Sequence, residues 1–335
     1  MTRDQGARRL PEPTFEPPPL PPGFPRWKRF AWDGWDLTIP VDWDLGAIEF
    51  GPKGGFLRLD DEFEPRLMLK WQPIQHGFDP AKAIEKYLGK RLKGGDAKPR
   101  LGAAIPGIRE ALKGMEHETY TLVTSSQPTY KAWGLSAYCP RCRRAFVVEM
   151  STDSRVDDSE RQVARVLGSL REHTDERLTR WEAFGLSCDL PSELRAAETR
   201  FSQGFVSMAA GERGRHVEVA RWSLAGIHLA GMDLRRFFSA YLLKARNSQR
   251  LHIEDAAVLS HPGLQYHSPR RVLEPLRAGI RRRLAVYRPA HLTGMLWHCA
   301  TSNRILMLNL ASNTPNDIGA ARLLASRVRC CKVMF

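Results

Sequence analysis

The stretch "GWDLTIPVDWDLGAIEF", residues 34–50, returns as "GLSCDLPSELRAAETRF", residues 185–201. Gly34, Pro40 and Phe50 fall on Gly185, Pro191 and Phe201 at one constant spacing. At the same spacing "LMLKW", ending at Trp71, meets "VEVARW", ending at Trp222. Apolar residues alternate along both, as half-buried strands require.

Working outward, the correspondence continues with small changes of spacing. "DPAKAIEKYLGK" from Asp79 meets "DLRRFFSAYLLK" from Asp233, and "IPGI" from Ile105 meets "HPGL" from His261. "YCPRCRRAFVVEM" meets "HCATSNRILMLNL", pairing Cys139 with Cys299 and Arg144 with Arg304. "RVLGSL" from Arg165 meets "RLLASR" from Arg322. Single matches of this length carry little, but their shared order makes the chain an internal duplication.

Each copy reads as strands, a helix, an irregular stretch, more strands and a last helix. Asp79 suits an N-cap and Pro80 the first helical position, ahead of an apolar face of Ala83, Ile84, Tyr87 and Leu88. The last helix of copy one carries Val163, Val166, Leu167 and Leu170 on one side and is expected to run on through "REHTDERLTRW" into copy two. In copy two Thr314 and Pro315 open the corresponding helix, before Ile318, Leu323 and Leu324. The pattern predicts an α+β class: two tandem duplicated domains, each a mostly antiparallel sheet with packed helices. The predicted boundaries are a Pro-rich arm over 1–28, copy one over 29–178 and copy two over 179–335. The arm, with "PPPLPPGFP" at its centre, favours an extended polyproline-like state.

The segment "FAWDGWDLTIPVDW", residues 30–43, with the strands and helices that follow it, resembles the PsbP-like domains. These include photosystem II extrinsic subunits, a Ran-binding nuclear import factor and many bacterial proteins. Copy two departs from the opening pattern, with Leu194 where copy one has Trp43. The resemblance implies a partner-binding scaffold and brings no shared catalytic residues.

Composition bounds the rest. Of 335 residues, 42% are hydrophobic and 26% charged, which excludes a largely disordered chain. The net charge of +14 favours anionic partners. No apolar run approaches the length of a membrane span, and the N-terminus shows no secretory apolar core, so a cytoplasmic, reducing location is expected. Six cysteines are too few for a disulfide scaffold in a chain of this size.

Around "CPRC" the pattern is a hairpin: "YKAWGLSAY" one strand, "RRAFVVEM" the return. A C-P-x-C turn can aim Cys139 and Cys142 at one zinc, with two ligands from elsewhere. The matching turn of copy two is "CATS", with Ser302 in place of Cys142, which confines a metal role to copy one. Cys188, His298, Cys299, Cys330 and Cys331 remain as outside donors, and no spacing selects among them. Redox chemistry is disfavoured, because the pair lies between strands and not at a helix N-terminus. No resident cofactor is therefore expected, zinc at Cys139 and Cys142 being the one alternative.

No metal-binding H-E-x-x-H, no G-x-S-x-G and no phosphate loop occurs, so the reading leans against an enzyme. Arg270, Arg271, Arg277, Arg281, Arg282, Arg283 and Arg288 form a basic segment suited to phosphate. Tyr266, Tyr287 and Trp297 could stack on bases beside it, which makes a nucleic-acid partner the alternative to a protein partner. Trp27, Phe30, Trp32, Trp35 and Trp43 are read as core or inter-copy packing. Together these readings describe a non-catalytic binding or assembly scaffold.

Overall fold

The computed structural model describes residues 27–51, 53–75, 77–92, 98–105, 107–123, 130–153, 159–173, 177–212, 214–243, 251–268, 291–313 and 318–331. The basic segment with its seven arginines, Tyr287, Thr314, Pro315 and nearly all of the Pro-rich arm lie outside these residues.

Copy one runs β1 (Trp27–Trp32), β2 (Trp35–Pro40), β3 (Asp44–Gly51), β4 (Gly54–Asp60), β5 (Pro65–Pro73), α1 (Pro80–Arg91), β6 (Lys98–Leu101), α2 (Ile108–Ala111), β7 (Glu116–Val123), β8 (Tyr130–Cys139), β9 (Arg144–Asp153) and α3 (Ser159–Gly168). Copy two runs β10 (Leu178–Ala183), β11 (Leu186–Pro191), β12 (Arg195–Ser202), β13 (Phe205–Glu212), β14 (Arg215–Ser223), α4 (Ala225–His228), α5 (Leu234–Phe237), β15 (His252–Val258), β16 (His261–His267), β17 (His291–Cys299), β18 (Arg304–Ser312), α6 (Ile318–Ala325) and β19 (Val328–Arg329). A π-helical turn, Phe238–Leu243, extends α5.

Each copy builds a seven-stranded antiparallel sheet. The orders are β3-β4-β5-β9-β8-β7-β6 and β12-β13-β14-β18-β17-β16-β15, the same topology written twice. A third sheet, β19-β11-β10-β1-β2, is shared between the copies. Its hairpins close on Asp33-Gly34 and on Phe184-Gly185, all four with positive φ, as two-residue turns matching the strand twist require. Across the seam Ala31 of β1 pairs with Glu182 of β10. These residues hold corresponding places before the two turns, so the seam joins like to like, as a two-fold contact does.

The inner faces of the sheets share one apolar core. It contains Phe30, Trp32, Trp35, Phe146 and Val148 from copy one and Trp181, Val217, Trp297 and Leu308 from copy two. Trp32 meets Trp181 edge-on at 5.1 Å, and Trp35 meets Phe146 in the same way at 5.0 Å. Phe30, Trp32, Trp35 and Trp43 are buried, and Trp27 is half-buried against the same core. On the opposite faces α1 covers Tyr120 and Leu122, and α5 with its π-turn covers Leu264 and Tyr266. Among the described residues no helix is long and apolar enough to cross a membrane.

Asp79 and Asp233 cap α1 and α5 alike, accepting from the N–H groups of Lys82 and Arg236. Three expectations fail. The last helix of copy one does not continue into copy two: α3 ends at Gly168, and Leu178–Ala183 is a strand. Ser169 ends the helix by donating to the Val166 carbonyl while accepting from the Thr38 N–H. Arg171 then exchanges both backbone hydrogen bonds with Asp36 of β2.

Trp222 does not take the place of Trp71. Leu67 pairs with Met150 and Val217 with Leu310, which sets Arg221, not Trp222, at the Trp71 position. Between paired positions, Leu59 with Leu67 in copy one and Ala210 with Val217 in copy two, copy one holds one more residue, and a one-residue slip turns each side chain to the other face. Trp222 accordingly packs with Phe205 and Phe237 on the outer face. Finally, "IPGI" and "HPGL" do not correspond: Gly107 precedes α2, whereas Pro262 and Gly263 lie within β16.

Candidate metal centres

The β8–β9 hairpin pairs Cys139 with Arg144, and the β17–β18 hairpin pairs Cys299 with Arg304. The segment leaving each copy's last helix passes beside its hairpin. In copy one Arg171 bonds to Asp36 of β2; in copy two Arg329 bonds to Ser187 of β11. The next two residues are Glu172 and His173 in one case, Cys330 and Cys331 in the other. Both pairs present donor atoms to the hairpin cysteines.

Two four-residue clusters result: Cys139, Cys142, Glu172 and His173 in copy one, and His261, Cys299, Cys330 and Cys331 in copy two. Within each, the ligand atoms all lie within 4.8 Å of one another. In the first, Cys142 Sγ stands 2.9 Å from Glu172 Oε1 and Cys139 Sγ 3.7 Å from His173 Nδ1. The other Glu172 oxygen contacts His173 Nδ1. In the second, Cys299 Sγ is 3.6 Å and Cys330 Sγ 3.3 Å from Cys331 Sγ. His261 Nε2 lies 2.8 Å from Cys331 Sγ and 3.2 Å from Cys330 Sγ. Ligand atoms of a tetrahedral zinc, at about 2.0–2.3 Å from the ion, stand roughly 3.3–3.8 Å apart, so both clusters need only small adjustments. All six cysteines are free thiols, with Cys142 and Cys331 exposed and thus giving an ion a way in.

The fourth donor differs in a compensating way. Copy two has Ser302 where copy one has Cys142, and it gains His261. The register that pairs Gly263 with Trp297 sets His261 across from Cys299. In copy one the register of Glu116 with Tyr138 sets Met115 across from Cys139. The tight turn at Leu259 and Ser260, both with positive φ, places His261 there; copy one spends that length on α2.

The donors of each cluster crowd one another electrostatically. Burial and the Glu172 carboxylate push the Cys142 thiol well up. Burial and the neighbouring thiols Cys330 and Cys299 push Cys331 up to about 12, and burial raises Cys330. Burial acts upward on Cys299 too, but hydrogen bonds from Ser302 and the adjacent thiols outweigh it and hold this thiol below its usual value. A coordinated divalent cation reverses such crowding and keeps its thiols ionised.

Copy one adds a chain of charges behind its cluster. Arg144 Nη1 lies 3.5 Å from Glu172 Oε1, and Arg144 Nη2 lies 3.8 Å from Asp33 Oδ2. The Asp33 Oδ1 atom accepts from the Ala196 N–H of copy two at 3.2 Å. Burial pushes the Asp33 carboxyl up, while Arg144 and the Ala196 N–H pull it back. In copy two Arg304 donates to the Gly185 carbonyl at 2.9 Å, and Phe184 stands where Asp33 would be.

The sequence points to Cys139 and Cys142 and confines a metal role to copy one; the structure also brings together a second set of candidate donors, in copy two. The sequence alone does not point to Glu172, His173 and His261. The usable signal was two adjacent donors at the same place after each last helix. Cys188 belongs to the core, and His298 joins neither cluster. Tyr266 and Trp297 are buried, Tyr266 donating to Asn309 Oδ1 at 2.6 Å, so neither can stack on a base. A scan against protein-family models gives no match to this chain, and a search among curated proteins gives none either.

Proposed function

We propose that the chain is a non-catalytic binding or assembly scaffold whose two copies are each fastened by a zinc ion. The observation that carries this is the exchange of the fourth donor, Cys142 against His261, which leaves four donors converging in both copies. Chance clustering gives no reason for a donor present in one copy to be matched in the other from a different strand. Four protein donors suit a closed structural centre, whereas a catalytic zinc keeps a position open. Each ion would tie the exit of a last helix to its hairpin, where the chain enters the shared sheet.

Zinc fits these donors better than magnesium or calcium, which prefer all-oxygen sites. Two related copies on one chain offer two related surfaces to a partner, the basis for reading it as a scaffold for another protein. The PsbP-like resemblance points the same way. Elemental analysis of full-length chain, purified without chelator or metal-affinity tag, is expected to give two zinc ions per chain. Cys330→Ser should leave one and Cys142→Ser the other. A wild-type chain free of metal, and unable to take any up, would overturn the reading.

A further inference from the structure

Resting on that two-centre reading, we propose that the copy-one centre is the exchangeable one, and that its occupancy is relayed to copy two through Glu172, Arg144, Asp33 and the Ala196 amide. Two features distinguish it from the copy-two centre. It offers two thiols where the other offers three, and zinc favours thiolate over carboxylate in such sites. Its carboxylate donor already has a partner in Arg144, which an incoming ion must compete with. At the corresponding place of copy two stands the thiol of Cys330, and Arg304 donates to the Gly185 carbonyl, much as Arg144 also donates to the Asp33 carbonyl.

The relay follows from the same contacts. Without metal, two buried carboxylates, Asp33 and Glu172, share the guanidinium of Arg144, with Arg195 adding a weaker pull on Asp33. A divalent ion takes charge from Glu172, and its bound thiols release their protons to solvent. Arg144 then belongs more fully to Asp33, whose other oxygen holds the Ala196 N–H at the start of β12. That amide lies on the edge strand of the other copy's sheet, next to β3. Gly34 sets the distance: a Cβ there would stand 3.1 Å from the Glu172 carbonyl, so the Asp33–Gly34 turn rests directly on the ligand segment. The copy-one centre thus sits where filling it can be felt across the seam, and the copy-two centre lacks the acid that would carry the effect.

The test titrates metal-free full-length chain with cobalt(II), following thiolate-to-cobalt absorption, and measures amide hydrogen exchange over 195–202 at each step. The first equivalent should fill the three-thiol centre, with the stronger charge-transfer band, and leave exchange at 195–202 unchanged. The second should slow exchange there by roughly 5–150-fold. Asp33→Asn should keep the second equivalent's absorption and lose the slowing. Cys142→Ser should bind one equivalent and show no slowing. Slowing by the first equivalent, its persistence in Asp33→Asn, or its absence from wild type would overturn the relay while leaving two bound ions in place. No thiolate-to-cobalt absorption at either step would overturn the two-centre function itself.

Discussion

Tyr120 and Tyr266 lie over Gly134 and Gly294, whose missing side chains make room for the rings. A Cβ on Gly134 would come within 2.1 Å of the Tyr120 ring, and one on Gly294 within 2.5 Å of Tyr266. Gly134→Ala and Gly294→Ala should each cost about 1–3 kcal/mol in urea unfolding, as overpacking does. The two hydroxyls differ in charge environment. Tyr120 donates to the buried Glu149 carboxylate, which also meets Arg91, whereas Tyr266 donates to the neutral Asn309. Tyr120→Phe should therefore cost about 1.5–3 kcal/mol and Tyr266→Phe about 0.5–1.5 kcal/mol, measured the same way. His216 adds a pH effect. Burial lowers its folded pKa, so below about pH 6.5 the unfolded chain binds a proton that the folded chain does not. Stability should fall as pH drops through that range, and the fall should be shallower in His216→Leu than in wild type. At this scale cysteines were legible as donors from residue type alone. Glu172, His173 and His261 were not, because their convergence depends on which strands become neighbours.

At the scale of elements, helix starts were the most readable feature. Asp79 and Asp233 both cap, because a short acidic side chain meets an otherwise unpaired N–H wherever a helix opens. Asp233→Ala should lose about 0.5–2 kcal/mol in urea unfolding and Asp79→Ala should shift the midpoint in the same direction, both leaving metal uptake unchanged. Strand identity was readable from alternation, but register was not. The pairing of Trp71 with Trp222 looked persuasive letter by letter, yet a single extra residue between the paired positions Leu59 and Leu67 sends the second indole to the outer face. The end of α3 was missed for a related reason. Leu170 continues the apolar spacing, but it packs in the core just past the helix while Arg171 already pairs with β2. Periodicity counts residues; it does not register the backbone hydrogen bonds offered by a distant strand.

For the whole molecule, the duplication was legible and the fusion of the two halves was not. One core crosses both copies, with Trp32 and Trp181 touching at its middle. Trp32→Ala should cost about 3–5 kcal/mol, and scanning calorimetry should still show both copies melting in one transition. Two separated transitions would argue against a common core. The seam at Ala31 and Glu182 has a further consequence. Two separate chains joined this way would form a homodimer, and every substitution in one centre would be copied into the other. Fusion in a single gene lifts that constraint. One half can carry Ser302 and the donor His261, while the other carries Cys142, the carboxylate of Glu172 and Asp33 behind it. The covalent link therefore allows two corresponding sites to differ in donors and surroundings while the sheets that hold them keep one topology.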